Sequence, residues 1–254
     1  MKNYRITVSY DGTRYKGWQV QKSTDETIQG KLQKVIESIC RHPVEVIGSG
    51  RTDAGVHAKG QVANFHMEGD FDELELLDRI NHYLPGDIAV TSLSQVDDRF
   101  HSRYKAKSKT YVYRINTSNR SNVFEHRFIY EYGQQLDEDR MRAGAELLLG
   151  THDFKSFCGN KKMKKSTVRT IYAIDIERIG DELKISYTGD GFLQNMIRIL
   201  TGTLVEIGRG DRKPESVTEI LNAKDREVAG YTAPPQGLIL EEVQYEYAAV
   251  VCDE

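Results

Sequence analysis

Polar and apolar positions alternate over Arg5-Ile6-Thr7-Val8-Ser9-Tyr10, the two-residue period of a half-buried strand, and Asp11-Gly12 predicts the turn that ends it. The period then lengthens. Ile28, Leu32, Val35, Ile36 and Ile39 recur at helical spacing behind the cap-forming cluster Ser23-Thr24-Asp25, and Pro43 stops that helix. Val44 to Ile47 reads as a strand, followed by the glycine-rich stretch 48–55 and a strand around Gln61 to Phe65. Asp70 with Glu73 predicts a capping box for a helix carrying Leu74, Leu77, Ile80 and Leu84 on one side, and a strand near Ile88 to Leu93 closes the first half.

The second half repeats this grammar. Thr110 to Ile115 alternates as a strand, a helix follows over Asp137 to Leu148, and strands follow at Thr167 to Ile179 and Leu183 to Thr188. Helices from about Phe192 to Ile207 and from Pro214 to Ala223 precede a last strand over Leu238 to Tyr247. Strands and helices mix without alternating one for one. An α+β fold of two similar α/β halves, with mixed, mainly antiparallel sheets flanking a central cleft, therefore fits better than a doubly wound parallel sheet. With no low-complexity linker, the boundary is set in the stretch 97–109, dividing the chain into residues 1–104 and 105–254.

Composition narrows the class. A chain of 254 residues can bury a sizeable core, and 39% hydrophobic with 29% charged residues is ordinary for a globular protein. No apolar run approaches the roughly 18 residues of a membrane span, and Met1-Lys2-Asn3-Tyr4-Arg5-Ile6 lacks the apolar core of a signal peptide, so a cytoplasmic protein is expected. Cys40, Cys158 and Cys252 are scattered without metal-ligand spacing, which fits reduced thiols and neither a disulfide framework nor a zinc site.

A net charge of −3 means that any nucleic-acid partner must be held by local basic surface. Two clusters offer it: Arg99 to Lys109, which includes Arg103 and Lys105, and Lys161-Lys162-Met163-Lys164-Lys165 with Arg169. Charge runs of this kind also serve simply as solvated loops.

The segment Gly48-Ser-Gly-Arg51-Thr-Asp53-Ala-Gly55-Val-His57-Ala58 is the most informative. It is not a P-loop, since no Lys follows Gly55 in register, and it is not a dinucleotide fingerprint, since Asp53 stands where that pattern needs glycine. Glycines flanking Arg-Thr-Asp permit a close-approach backbone that pushes a polar side chain into a cleft; alternatively Asp53 merely caps its own loop as an Asx-turn.

Gly50-Arg-Thr-Asp-Ala-Gly-Val-His57 resembles the active-site motif of tRNA pseudouridine synthases of the TruA type. The resemblance continues in order through Tyr10-Asp11-Gly12 with Gly17-Trp18-Gln19, Thr27 to Gly30, Asn81 to Ile88, Arg99 to Arg103, Lys109-Thr-Tyr111-Val-Tyr113, Gly150 to Phe154, Gly191 to Arg198, and Gly237-Leu238. It spans nearly the whole chain. It implies the pseudouridine synthase fold and the isomerisation of uridine to pseudouridine at three neighbouring positions on the 3′ side of the tRNA anticodon stem-loop. A homodimer and no cofactor or metal are also implied.

The resemblance makes Asp53 the catalytic carboxylate, either a nucleophile at the sugar or a base at C2′. Tyr111 would stack on the detached uracil and help remove the C5 proton, while Tyr113 is assigned to packing. Arg198 would pair with Asp53 and keep it ionised in a dry pocket. Arg51 would fill the space left by a flipped base or grip the adjoining phosphate, and His57 would support the site by hydrogen bonding rather than by direct proton transfer. Lys161, Lys162, Lys164 and Lys165 lie in a segment resembling a variable region and bear on RNA grip alone. Two rivals remain: a non-catalytic RNA-binding module on the same scaffold, and a hydrolase of N-glycosidic bonds in free nucleosides.

Overall fold

In the computed structural model, residues 1–245 are described. Cys252 and the last two residues expected in the final strand lie outside that range. Cys40 is half-buried and Cys158 buried, both as free thiols.

The first half contains β1 (Lys2–Tyr10), α1 (Ile28–Cys40), β2 (Ile47–Gly48), β3 (His57–Met67), α2 (Glu73–Tyr83) and β4 (Ile88–Val96). The second contains β5 (Ala106–Asn116), β6 (Tyr130–Glu131), α3 (Glu138–Glu146), β7 (Gly150–Asp153), β8 (Val168–Ile179), β9 (Glu182–Gly189), α4 (Met196–Arg209), α5 (Ser216–Ala223) and β10 (Leu238–Tyr245). The strands form one ten-stranded sheet in the order β4-β1-β3-β10-β5-β9-β8-β7, with β2 beside β3 and β6 beside β5. The two expected sheets are thus wings of one sheet. β10 joins them, pairing parallel with β3 and antiparallel with β5.

Capping differs from the sequence expectation in two places. Thr27, not the 23–25 cluster, caps α1 by accepting from the Gly30 N–H, and Asp72, not Asp70, caps α2 through Leu74 N and Glu75 N. Asp70 instead forms an ion pair with Lys2 on β1. Leu77, Ile80 and Leu84 face the core as expected, joined by Leu76, while Leu74 is 67% exposed. The strand expected at Val44 to Ile47 shrinks to the two residues of β2, because Val44 and Val46 are buried by packing and not by pairing.

The core runs through both wings. Tyr4, Ile6 and Val8 of β1, Phe65 of β3, Tyr113 and Ile115 of β5 and Leu240 of β10 are essentially inaccessible, as the two-residue period predicts. Tyr113 fills the packing role expected of it, its hydroxyl satisfied by the Pro234 carbonyl at 2.7 Å. The same alternation places neighbours on opposite faces of the sheet. Leu238 lines one concavity and Ile239 another, as do Val56 and His57.

Candidate active site

Asp53 sits in the loop between β2 and β3, and that loop is clamped from several sides. Ser49 donates its hydroxyl proton to Gln61 at 2.7 Å, Gln61 donates to the Gly50 carbonyl, Thr52 shares a 2.8 Å hydrogen bond with Tyr10, and Trp18 N–H donates to the Thr52 carbonyl. Residues 53–56 form a turn closed by Val56 N–H on the Asp53 carbonyl at 3.1 Å, with Gly55 at φ +77°. Gly17, at φ +98°, lies so close that a Cβ there would sit 2.7 Å from the Thr52 carbonyl oxygen. Both glycines are required by backbone geometry, and their effect is a rigid loop that presents Asp53.

The carboxylate faces a cleft of about 550 Å³ lined by Arg51, Asp53, Arg103, Tyr104, Lys109, Tyr111, Arg169 and the start of α4, among others. Arg198, in the first turn of α4, places Nη1 3.9 Å from Asp53 Oδ2; the two side chains are 15% and 30% exposed. Arg198 is itself aimed, with Nε donating to the Ala233 carbonyl at 2.7 Å and Nη1 to Asn195 Oδ1 at 3.2 Å. Burial raises the Asp53 pKa, opposed first by the Arg198 charge, then by the Asn195 backbone N–H and by Arg51. The partner arginine thus limits a penalty that the pocket imposes.

Tyr111 on β5 is buried against the edge of the Phe192 ring, centroids 5.5 Å apart. Burial, with Tyr10 and Asp53 nearby, pushes its pKa far above the ordinary value. It therefore keeps its proton and can relay one through its hydroxyl, but it does not stand as a phenolate.

Arg51 and Arg103 are exposed at the cleft, with no ion-pair partner among the described residues. Lys105, Lys161, Lys162, Lys164 and Lys165 are exposed and do not line it, and Lys161 pairs with Glu227. His57 is also apart. It lies on the opposite face, where its Nδ1 accepts from Gly12 N–H at 3.0 Å, stands 3.2 Å from Asp11, and its ring packs on Phe128. Burial lowers its pKa, opposed by Asp11. It braces the turn before Tyr15, whose carbonyl accepts from Gly55 N–H at 3.3 Å.

Asn195 was not singled out from the sequence. It sits at φ +58° as the first residue before α4, its side chain accepting from Arg198 and its backbone N–H among the influences that lower the Asp53 pKa. The only sequence signal is that asparagine tolerates a left-handed backbone better than most residues. Among the described residues, no group of three His, Cys, Asp or Glu is arranged to hold a metal, and no helix is long and apolar enough to cross a membrane.

A mostly antiparallel α+β sheet, carrying a desolvated carboxylate against a guanidinium in a cation-lined cleft, defines an enzyme scaffold built for an anionic substrate. The sequence model of the tRNA pseudouridine synthase family matches residues 6–105 and 145–246, and the chain belongs to that family. It is 44% identical over 245 residues to "tRNA pseudouridine synthase A" of Bacillus sp. (strain KSM-64), covering 96% of this chain and 100% of the relative. It is 45% identical, with the same coverage, to "tRNA pseudouridine synthase A 1" of Clostridium tetani (strain Massachusetts / E88). Among solved structures, the archaeal box H/ACA sRNP Nop10-Cbf5 complex aligns over 80% of this chain and 43% of that one, with a TM-score of 0.35 at 14% identity, too weak a likeness to carry an argument.

Proposed function

We propose that this chain isomerises uridine to pseudouridine in the anticodon stem-loop of tRNA, with Asp53 as the catalytic carboxylate. The observation that carries this reading is the Asp53–Arg198 pair at 3.9 Å, assembled from a loop of one half and a helix of the other inside a cation-lined cleft. The reaction breaks the bond between C1′ and N1 of uracil and forms one between C1′ and C5. The C5 proton is lost and N1 gains one, so nothing is oxidised and no group is imported. The carboxylate acts at the sugar, as a nucleophile on C1′ or as a base on C2′–H, and either role requires it ionised. Arg198 holds it so, and Asn195 holds Arg198.

Tyr111 stacks beside the detached uracil and relays the C5 proton as a neutral phenol. Arg51 occupies the space vacated by the flipped nucleotide or grips its phosphate, and His57 braces the loop from behind. Residues 1–104 supply the carboxylate and 105–254 the tyrosine and arginine. The enzyme works in the cytoplasm as a homodimer, one subunit holding the tRNA body while the other does the chemistry.

The test is to incubate the purified protein with unmodified tRNA and map pseudouridine by carbodiimide-based primer extension. Stops are expected in the anticodon stem-loop with the native protein and none with Asp53→Asn, which still binds tRNA. Stops that persist with Asp53→Asn, or release of free uracil, overturn the reading.

A further inference from the structure

Lys109 stands two residues before Tyr111 on β5, so both side chains leave the same face of the strand. Its ammonium donates to the Ser49 carbonyl at 2.7 Å, its one hydrogen bond among the described residues, although an ammonium carries three donors. Gly50 leaves the room it needs, since a Cβ there would come within 2.9 Å of Nζ.

The surroundings are unfavourable to a cation. Burial is the largest influence and lowers the pKa of Lys109 to about 8; the charges of Arg103 and Arg169 lower it too, and only Asp190 opposes them. Asp190 is already engaged, accepting the Thr170 N–H at 3.0 Å. Arg169 spends one guanidinium nitrogen on the carbonyls of Ser166 and Val168. Three cations and one carboxylate, Asp190, thus share the wall of the cleft that holds Asp53, and none of the three forms an ion pair with Asp190. A half-buried ammonium beside two further cations is costly unless an anion completes the site.

We propose that Lys109, Arg103 and Arg169 form a phosphate subsite that takes one backbone phosphodiester of the RNA beside the target uridine. This rests on the function proposed above and sharpens it. A phosphodiester offers two charged oxygens, which suit an ammonium flanked by planar guanidinium groups. The contact between Lys109 and Ser49 fixes this anion next to the loop 50–53, so that gripping the backbone also sets the height of the sugar over Asp53.

The experiment scans anticodon stem-loop oligonucleotides in which one linkage at a time is a neutral methylphosphonate, binding each to the native protein and to Lys109→Met. One linkage beside the target is expected to weaken native binding by roughly tenfold while leaving Lys109→Met unaffected. The salt slope of binding should fall by about one in Lys109→Met. Lys109, whose pKa is lowered to about 8, is faced by the charged groups Arg103, Arg169 and Asp190. Native affinity should therefore drop as pH rises through that value, and Lys109→Arg, which folds with a cation in place and stays charged, should show no such drop.

Excess inorganic phosphate should compete with RNA for the native protein more than for Lys109→Met; competition without linkage-specific coupling would mean a site for free phosphate and overturn the RNA assignment. Additive losses at every linkage, or an unchanged salt slope with reduced melting temperature, would make Lys109 a structural tether and overturn the subsite. Pseudouridine mapping with the native protein runs alongside. If it fails, the enzymatic reading fails. If it succeeds without coupling, only the subsite does.

Discussion

The sheet has a concavity on each face, and both gather acids, bases and aromatic rings. On one face Asp53 meets Arg198 at 3.9 Å, and Arg51, Arg103 and Lys109 have no carboxylate in direct contact among the described residues. On the other, Arg114 is held by Glu125 and by Glu182, each at 2.7 Å, Arg14 pairs with Asp87, and His57 is wedged between Gly12, Asp11 and Phe128. One face carries a surplus of positive charge and a carboxylate kept from water; the other neutralises itself. Self-neutralised charge serves the fold, whereas uncompensated charge beside a strained acid awaits a partner.

Substituting across the sheet should break the symmetry between the two concavities. Asp53→Asn should lose roughly two to four orders of magnitude in turnover, the largest effect expected. It should also raise the melting temperature. The folded pKa of Asp53 lies above its unfolded value, so its ionised form costs stability as pH rises through that window, and a neutral amide removes the cost. A lower melting temperature in Asp53→Asn would contradict the desolvation described above.

Arg198→Met removes the charge that most opposes this burial. The acid limb of the rate profile should move to higher pH by about one pH unit or more, with Arg198→Lys in between. Profiles of kcat/KM against pH check this, and an unmoved limb would leave Arg198 a packing residue.

His57→Phe sharpens the contrast from the other face. It strips the acceptor from Gly12 N–H and should cost about 1–3 kcal/mol of stability by denaturant unfolding. Its kcat should stay within a few-fold of native; a collapse of kcat without loss of stability would return His57 to the chemistry. The smallest effect is expected from replacing Lys161, Lys162, Lys164 and Lys165 together by Ala. These side chains are solvated and outside the cleft, so tRNA affinity should weaken by a few-fold, with a shallower salt slope and unchanged turnover of bound tRNA.

Much of the fold was legible because alternation and helical spacing are local. The strand at Thr7, the helix over Ile28 to Ile39 and the turn at Gly55 follow from neighbours along the chain. The cap of α2 was not. Asp70 and Asp72 are equivalent in sequence, yet Asp72 caps the helix while Asp70 pairs with Lys2 of β1. The start of α4 was also misplaced, because Asn195 takes a left-handed backbone and the helix begins only at Met196.

The sequence by itself determined which residue types the site could use: an acid between glycines, a tyrosine on an alternating strand, an arginine on an apolar helix. It also determined the elements carrying them, since those depend on contacts a few residues apart. Only the tertiary structure decided that Arg198 reaches Asp53, that His57 faces away from it, and that Lys109 stands among like charges. Those outcomes turn on which face of a shared sheet each side chain takes and on how deeply water is excluded there. Both are fixed by the way β10 joins the two wings, through pairings between residues far apart along the chain that no local pattern contains.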